Sequence, residues 1–215
     1  DGGYPGAGSQ VGVIRGSAVW ERIAAGAPPT SDDEFAAPIE YLPSKAEGVL
    51  GPGDVFVFFA AGGGGYGDPL DRNPDAVASD VVQDWVSGER AKSDYGVSIA
   101  DDGSVDAVAT EALRAEIRAR RKQGRSMAWT IADDIIGEDA RIGENLLSQG
   151  GKLVCRRCET ALTGESGHIV EATAPLSKAG PWIALRWGGD SPNFSLGEIT
   201  CPTCGTLQSV TEVRT

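Results

Sequence analysis

The sequence predicts an α+β fold: a small antiparallel β module, helices following it, and a compact carboxy-terminal ribbon organised by cysteines. Three observations carry that prediction. Short Val- and Phe-rich runs bounded by Gly and Pro occupy the first sixty or so residues, the pattern of strands and hairpin turns. Apolar spacing of 3.6 residues takes over after Asn73. All four cysteines then fall in the last third, as two C-x-x-C pairs. With 30 Gly and 12 Pro, the chain is too rich in breakers for a helical bundle.

In chain order, SQVGVIRGSAVW predicts a short strand over Val11 to Arg15, and AAGAPPTSDDEFAAP a connector without periodicity. A strand near Glu47 to Leu50, a Gly51-Pro52-Gly53-Asp54 turn and a stronger strand from Val55 to Ala60 come next. The Val and Phe of that last strand favour a pleated, buried surface. Asn73 suits a helix N-cap with Pro74 at the first helical position, and Val77, Val81 and Trp85 recur on one face. A shorter helix from Ser87 to about Asp94 ends at Tyr95-Gly96. VSIADDGSVD predicts a short strand and turn. A long helix from about Val105 to Gln123 carries Val108, Ala112, Ala115 and Ala119 along one side and stops at Gly124. Residues 126–149 predict one or two helices packing Trp129, Ile135, Ile136, Leu146 and Leu147.

Between the strong strand and the first of these helices lies GGGGYGDPL. Gly62, Gly63, Gly64 and Gly65 have no Cβ, so their backbone can approach another group closely. No G-K-[ST] follows, which excludes a P-loop. Tyr66 and Asp68 either have something to hold, at an active site or a boundary between subunits, or serve as a core aromatic and a turn cap. Both readings stand at this stage.

A net charge of −12 argues against a nucleic-acid partner, which calls for clustered Lys and Arg. The one dense basic run, Arg118, Arg120, Arg121, Lys122 and Arg125, closes the long helix. It reads first as solvated cations complementing the helix dipole, and second as an inter-subunit contact. No run approaches the roughly 20 apolar residues of a membrane helix, and no signal-peptide pattern is present. The expectation is therefore a cytoplasmic protein with no membrane contact. The chain opens on Asp1 and its single methionine is Met127, so a lost leader or a piece of a longer polypeptide is expected.

The segment LPSKAEGVLGPGDVFVFFAAGGGGYGDPLDRNPDAVASDVVQDWVSGERAKSDYGVSI, continued by DGSVDAVATEALRAEIRARR, resembles the carboxy-terminal part of the hydantoinase B family. That family includes B subunits of ATP-dependent hydantoinases and 5-oxoprolinases and the related subunits of acetone and acetophenone carboxylases. GGGGYGDP, the proline-started helix and DYGV are its most specific elements here. The resemblance covers about residues 42–121, more weakly GGYPGAGSQ. It implies a hetero-oligomer in which a hydantoinase-A-type ATPase subunit handles ATP and a further divalent metal, alongside the remaining hydantoinase-B-type subunit. Family B subunits run to several hundred residues and usually end near the arginine-rich helix, whereas here about ninety more residues follow. The sequence thus divides into 1–125 (end of a hydantoinase-B-like fold), 126–150 (helical connector) and 151–215 (ribbon).

The chemistry of the tail stands apart from that resemblance. KLVCRRCETAL and EITCPTCGTLQSV each set a C-x-x-C beside strand-forming residues, and Gly205 permits the bend after Cys204. Cys155, Cys158, Cys201 and Cys204 form two knuckles able to wrap one ion in tetrahedral sulfur. This predicts a zinc ribbon with structural Zn(2+), against disulfides, redox cysteines or another metal or cluster. The 43 positions from Cys158 to Cys201 leave room for an inserted hairpin. His168, the only histidine, is not needed as a ligand. A catalytic zinc would keep an open position, which two complete pairs do not suggest. Arg156 and Arg157, inside the first knuckle, either meet a partner or are solvated.

No Ser-His-Asp set, Walker motif or paired general acid and base is found, so the chain alone is not expected to react. The function expected is a subunit of an ATP-dependent ketone carboxylase, similar to a small zinc-binding subunit fused to a split B subunit. The alternatives are a subunit of an ATP-dependent hydantoinase or oxoprolinase opening cyclic amides, and a non-enzymatic zinc-ribbon interaction module. From Gly151 onward acidic and basic residues balance, which disfavours nucleic acid for the last of these.

Overall fold

The computed structural model describes residues 3–4, 6, 8–30, 32–35, 37–43, 45–123, 125–130, 139–163, 169–174, 176–177 and 194–214. The chain forms two compact units: Gly6–Gly63 with Ala179–Pro192, and Asp1–Pro5 with Gly64–Lys178 and Asn193–Thr215. As expected, the fold is α+β, with small antiparallel sheets, helices and a carboxy-terminal four-cysteine cluster.

The first unit contains β1 (Gln10–Ile14), α1 (Val19–Ala24), β2 (Glu40–Tyr41) and β3 (Val55–Phe59), in sheet order β2-β1-β3. Val13 and Ile14 of β1 and Val19 of α1 are buried. The turn before β3 closes on Asp54, whose carboxylate accepts the N–H groups of Gly51 (2.9 Å) and Gly16 (3.0 Å) and an Arg15 guanidinium N–H at 2.7 Å. Those bonds, Gly51's foremost, lower its pKa to about 2.

Two expectations fail here. No strand forms at Glu47 to Leu50, and β3 pairs instead with β1, whose other edge takes β2 through Gly12↔Tyr41. β3 also buries neither face fully: Phe56 and Phe58 alternate outward, each more than half exposed.

The second unit begins with α2 (Pro74–Val82), α3 (Gly88–Ser93) and α4 (Ala107–Lys122). Asn73 caps α2 by accepting Asp75 N–H at 2.8 Å, and Ser87 caps α3 by accepting Arg90 N–H at 3.2 Å. Val77, Ala91 and Val97 form the core of this part. Trp85 does not join it, since α2 ends before it and the ring is 73% exposed. The buried side of α4 is also not the alanine face. Val108, Ala112, Ala115 and Ala119 face away from the buried side, on which Thr110, Ile117 and Arg121 lie. Thr110 and Arg121 flank Ile117 on that side because their partners are polar: Thr110 accepts Ser98 N–H at 3.0 Å, and Arg121 belongs to the site below.

The strands that follow are β4 (Arg125–Thr130), β5 (Ala140–Arg141), β6 (Leu146–Gln149), β7 (Lys152–Cys155), β8 (Ile169–Ala174), β9 (Leu176–Ser177), β10 (Phe194–Thr200) and β11 (Leu207–Arg214). One sheet runs β11-β10-β8-β4 with β9 on β10, the other β5-β6-β7. The described residues of 126–149 therefore form strands, correcting the expected helical connector. β4 pairs with β8 from Arg125↔Ala174 to Thr130↔Ile169, a partner some forty residues away that local periodicity does not reveal. The β6–β7 hairpin turns on Gly150 (φ 57°) and Gly151 (φ 71°), a Gly-Gly pair that favours a two-residue hairpin turn. Gly124, Ile135, Ile136 and His168 lie outside the described residues.

Candidate metal centre

Each C-x-x-C sits on the turn that ends one strand and opens the next segment, and the two turns are built alike. In the first, Glu159 N–H donates to Cys155 O at 2.8 Å and Cys155 N–H to Thr160 O at 2.9 Å. In the second, Gly205 N–H donates to Cys201 O at 2.8 Å and Cys201 N–H to Thr206 O at 2.8 Å. The residue after each second cysteine is left-handed, Glu159 at φ 58° and Gly205 at φ 72°. The threonine beyond it lies 3.2 Å from the cysteine sulfur, Thr160 on Cys158 and Thr206 on Cys204.

The two turns face each other. Cys155 Sγ is 3.7 Å from Cys204 Sγ, Cys158 Sγ is 3.5 Å from Cys201 Sγ, and all four sulfurs lie within 4.8 Å of one another. A tetrahedral ion with bonds near 2.3 Å requires S···S edges of about 3.8 Å, so the set fits such an ion. Cys155 and Cys201 are fully buried, packed with Leu146, Leu153, Leu162 and Ile199. Gln208 Nε2 donates to Cys155 Sγ at 3.4 Å. The Cys155 thiol is held well below its ordinary pKa, first by its hydrogen bond with Cys201, and Cys201 is raised in turn. Cysteine ligands bind a cation as thiolates, so metal uptake here releases protons from the thiols that still carry them.

The glycine motif ends against this module. Tyr66 is exposed rather than packed in the core, with its hydroxyl 3.5 Å from Arg141 Nη2. Arg141 pairs with Glu144, as does Arg156 at 3.1 Å. Gly65 N–H donates to Tyr4 O at 2.8 Å. Asp68 does cap the turn before Pro69, accepting Leu70 N–H at 3.0 Å, and it does more. Its two oxygens lie 3.0 and 2.9 Å from Arg121 Nη1, and Oδ2 accepts Leu207 N–H at 3.0 Å.

Arg121 is thus buried at 2% side-chain exposure, against the expected solvated run. Burial alone would lower its pKa, but Asp68 and the neighbouring Tyr4 and Glu198 hold it above the ordinary value. Tyr4 donates to Glu198, and its own pKa rises through burial first and Glu198 second. Arg157 donates to Asp71 Oδ1 at 2.5 Å, where Arg118 also donates at 2.7 Å. Arg156 and Arg157 accordingly make ion pairs within the chain. Sequence reasoning missed Arg121 and Asp71, because nothing in a basic run marks which member turns inward.

Fold and site define a chain in which helices and a glycine-rich turn are joined to a four-thiolate module of zinc-ribbon form. Its relatives are enzyme subunits. The chain is similar to the putative D-/L-hydantoinase B subunit of Pseudomonas sp. (strain NS671), 44% identical over 52 residues, 24% of this chain and 9% of that protein. It is also similar to the acetone carboxylase alpha subunit of Xanthobacter autotrophicus, 43% identical over 72 residues, 32% of this chain and 9% of that one. The resemblance read from the sequence is carried by these curated relatives, of whose length the chain spans about a tenth. No family model matches. A solved nucleotide-free acetone carboxylase aligns at 34% identity over 56% of this chain and 18% of its own, with a TM-score of 0.44, too low to establish a shared fold.

Proposed function

We propose that this chain is part of a subunit of an ATP-dependent ketone carboxylase of the acetone or acetophenone type, with one structural zinc held by Cys155, Cys158, Cys201 and Cys204. The observation that carries the reading is the combination of the carboxylase-subunit likeness with a four-sulfur cage on the same chain. Four thiolates leave no open coordination position, so the ion supplies folding energy rather than chemistry. On this reading a hydantoinase-A-type partner holds ATP and a further divalent metal, and the remaining hydantoinase-B-type partner completes the fold. The assembly works in the cytoplasm, and the chain joins the end of a hydantoinase-B-like fold (1–125) to a tail similar to a small zinc-binding subunit.

Gly62, Gly63, Gly64, Gly65, Tyr66 and Asp68 lie near a boundary between subunits or the active site in the same proposal. A Cβ at Gly63 meets nothing within 4 Å. Gly63→Val should therefore leave the isolated chain folded yet abolish turnover of the assembly, if a partner's backbone approaches there.

The test is to purify the chain from its native cells with what accompanies it, and to assay ATP- and bicarbonate-dependent consumption of a methyl ketone. Co-purification with an A-type ATPase and ketone turnover support the carboxylase. The hydantoinase relative favours a second reading, ATP-driven opening of a cyclic amide. Hydantoin or lactam hydrolysis without bicarbonate dependence would establish that reading instead.

A further inference from the structure

The turn Asp68-Pro69-Leu70-Asp71 supplies no sulfur, yet it reaches both halves of the thiolate cage. Asp68 holds the second half: its carboxylate accepts Leu207 N–H at 3.0 Å, and Arg121 Nη1, bound to the same carboxylate, reaches Gly205 O at 3.4 Å. Both contacts fall within three residues of Cys204. Asp71 holds the first half through Arg157, which stands between Cys155 and Cys158. The turn itself is stiff. Pro69 fixes its own φ, Asp71 N–H donates to Asp68 O at 2.8 Å, and Leu70 is 1% exposed.

Each knuckle fixes the geometry of its own two sulfurs through the backbone bonds described above. What those local bonds leave open is the spacing between knuckles, and both close sulfur pairs, Cys155–Cys204 and Cys158–Cys201, span that gap. A shared core around Leu146, Leu153, Leu162 and Ile199, Asn145 between Arg156 N–H and Leu207 O, and Gln208 on Cys155 Sγ tie the halves from within; an outer frame adds to these by holding the spacing before the ion arrives.

We propose that the Asp68–Asp71 turn is that frame, a positioning clamp that sets the separation of the two knuckles and so the affinity of the metal site. The inference rests on the reading of the four cysteines as a metal centre. It gives the end of the glycine motif a role inside the chain. By linkage, whatever the clamp adds to metal affinity the metal returns as order in the turn. Asp68 and Asp71 are positioning residues here, acting on the sulfurs through Leu207, Gly205 and Arg157.

The experiment uses the full chain with Zn(II) and Co(II) as probes, competed against a chromophoric chelator. Asp68→Asn keeps the shape of the side chain and removes the charge that Arg121 and Leu207 N–H share. It should weaken metal binding about 10–100-fold, the usual cost of losing an outer partner of a metal ligand, while the Co(II) spectrum keeps its four-sulfur signature. Asp71→Asn should cost less, since Asp71 is 39% exposed. Asp102→Asn, in a turn where its carboxylate accepts from Ser104, should leave affinity unchanged.

In the unmodified chain, chelation should speed exchange of the Leu70 amide. The Val97 amide, bonded to Ala91 O in the helical core, should keep its rate. Metal affinity of Asp68→Asn within twofold of the unmodified chain overturns the clamp. If that variant does not fold, equal acceleration at Leu70 and Val97, or none at either, overturns it. A chain that takes up neither metal overturns the metal reading itself and the clamp with it.

Discussion

Gly205→Ala tests the two knuckles against each other, because their left-handed positions carry different residues. Gly205 stands at φ 72° and Glu159 at φ 58°. An L residue in that conformation costs about 1–2 kcal/mol, and at Glu159 that cost is already present. Gly205 carries a second constraint, since a Cβ there runs into the carbonyl of Arg118 on α4. Forcing an extra carbon into a packed contact costs about 1–3 kcal/mol more. Gly205→Ala should therefore destabilise by about 2–5 kcal/mol, a large part of the roughly 5–15 kcal/mol that holds a domain together. Glu159→Gly relieves the left-handed strain but gives up about 0.5–1 kcal/mol of backbone entropy, for a net gain of up to about 1.5 kcal/mol. Urea unfolding at one fixed free zinc concentration measures both, because bound metal shifts apparent stability by mass action. A Gly205→Ala loss no larger than the left-handed penalty alone would refute the close approach to α4. A Glu159→Gly loss above about 1 kcal/mol would refute the equivalence of the two turns.

Three further outcomes follow from the buried network and the cage. Arg121→Met strands the carboxylate of Asp68, which is fully buried, and should cost about 3–5 kcal/mol; adding Asp68→Asn to it should recover part of that loss, and no recovery in urea unfolding would show that the two side chains do not depend on each other. Mass spectrometry under native conditions should find one zinc per chain, and Cys201→Ser should lose it and unfold the carboxy-terminal module; full zinc content in that variant sinks the four-sulfur assignment. Asp54 should titrate in the folded chain at about 2, below its usual value, through the N–H groups of Gly51 and Gly16 and then Arg15. A depressed folded pKa means that its contribution is complete above the unfolded carboxylate pKa, near 4, and fades as pH falls towards 2. An NMR-detected midpoint near 4 would show that the turn before β3 is not closed as described.

Some of this was legible in the residues. Asn73-Pro74 marked the start of α2, and Ser87 that of α3, because a cap is a local bond between a side chain and an amide two or three residues away. The Gly-Gly hairpin between β6 and β7 is equally local, although apolar spacing in the same segment points to helix. The helices expected from 126–149 failed for a different reason. β4 owes its conformation to pairing with β8, and strand pairing at long range leaves no periodic trace in either segment alone.

The sequence by itself determined which four cysteines come together. Two C-x-x-C pairs with no cysteine left over admit few arrangements, since the tight turn that each spacing imposes already points two sulfurs at one place. It also determined that GGGGYGDP was more than a spacer, because its Tyr, Asp and Pro are not linker residues. Only the tertiary structure decided what that motif holds. Arg121 looks in sequence like one cation among five, and Asp68 like a turn cap. They become a buried pair because α4 turns its polar stripe inward against a module encoded some eighty residues further on. Folding makes that choice by satisfying charges that cannot be buried alone, and no local pattern records which charge will meet which.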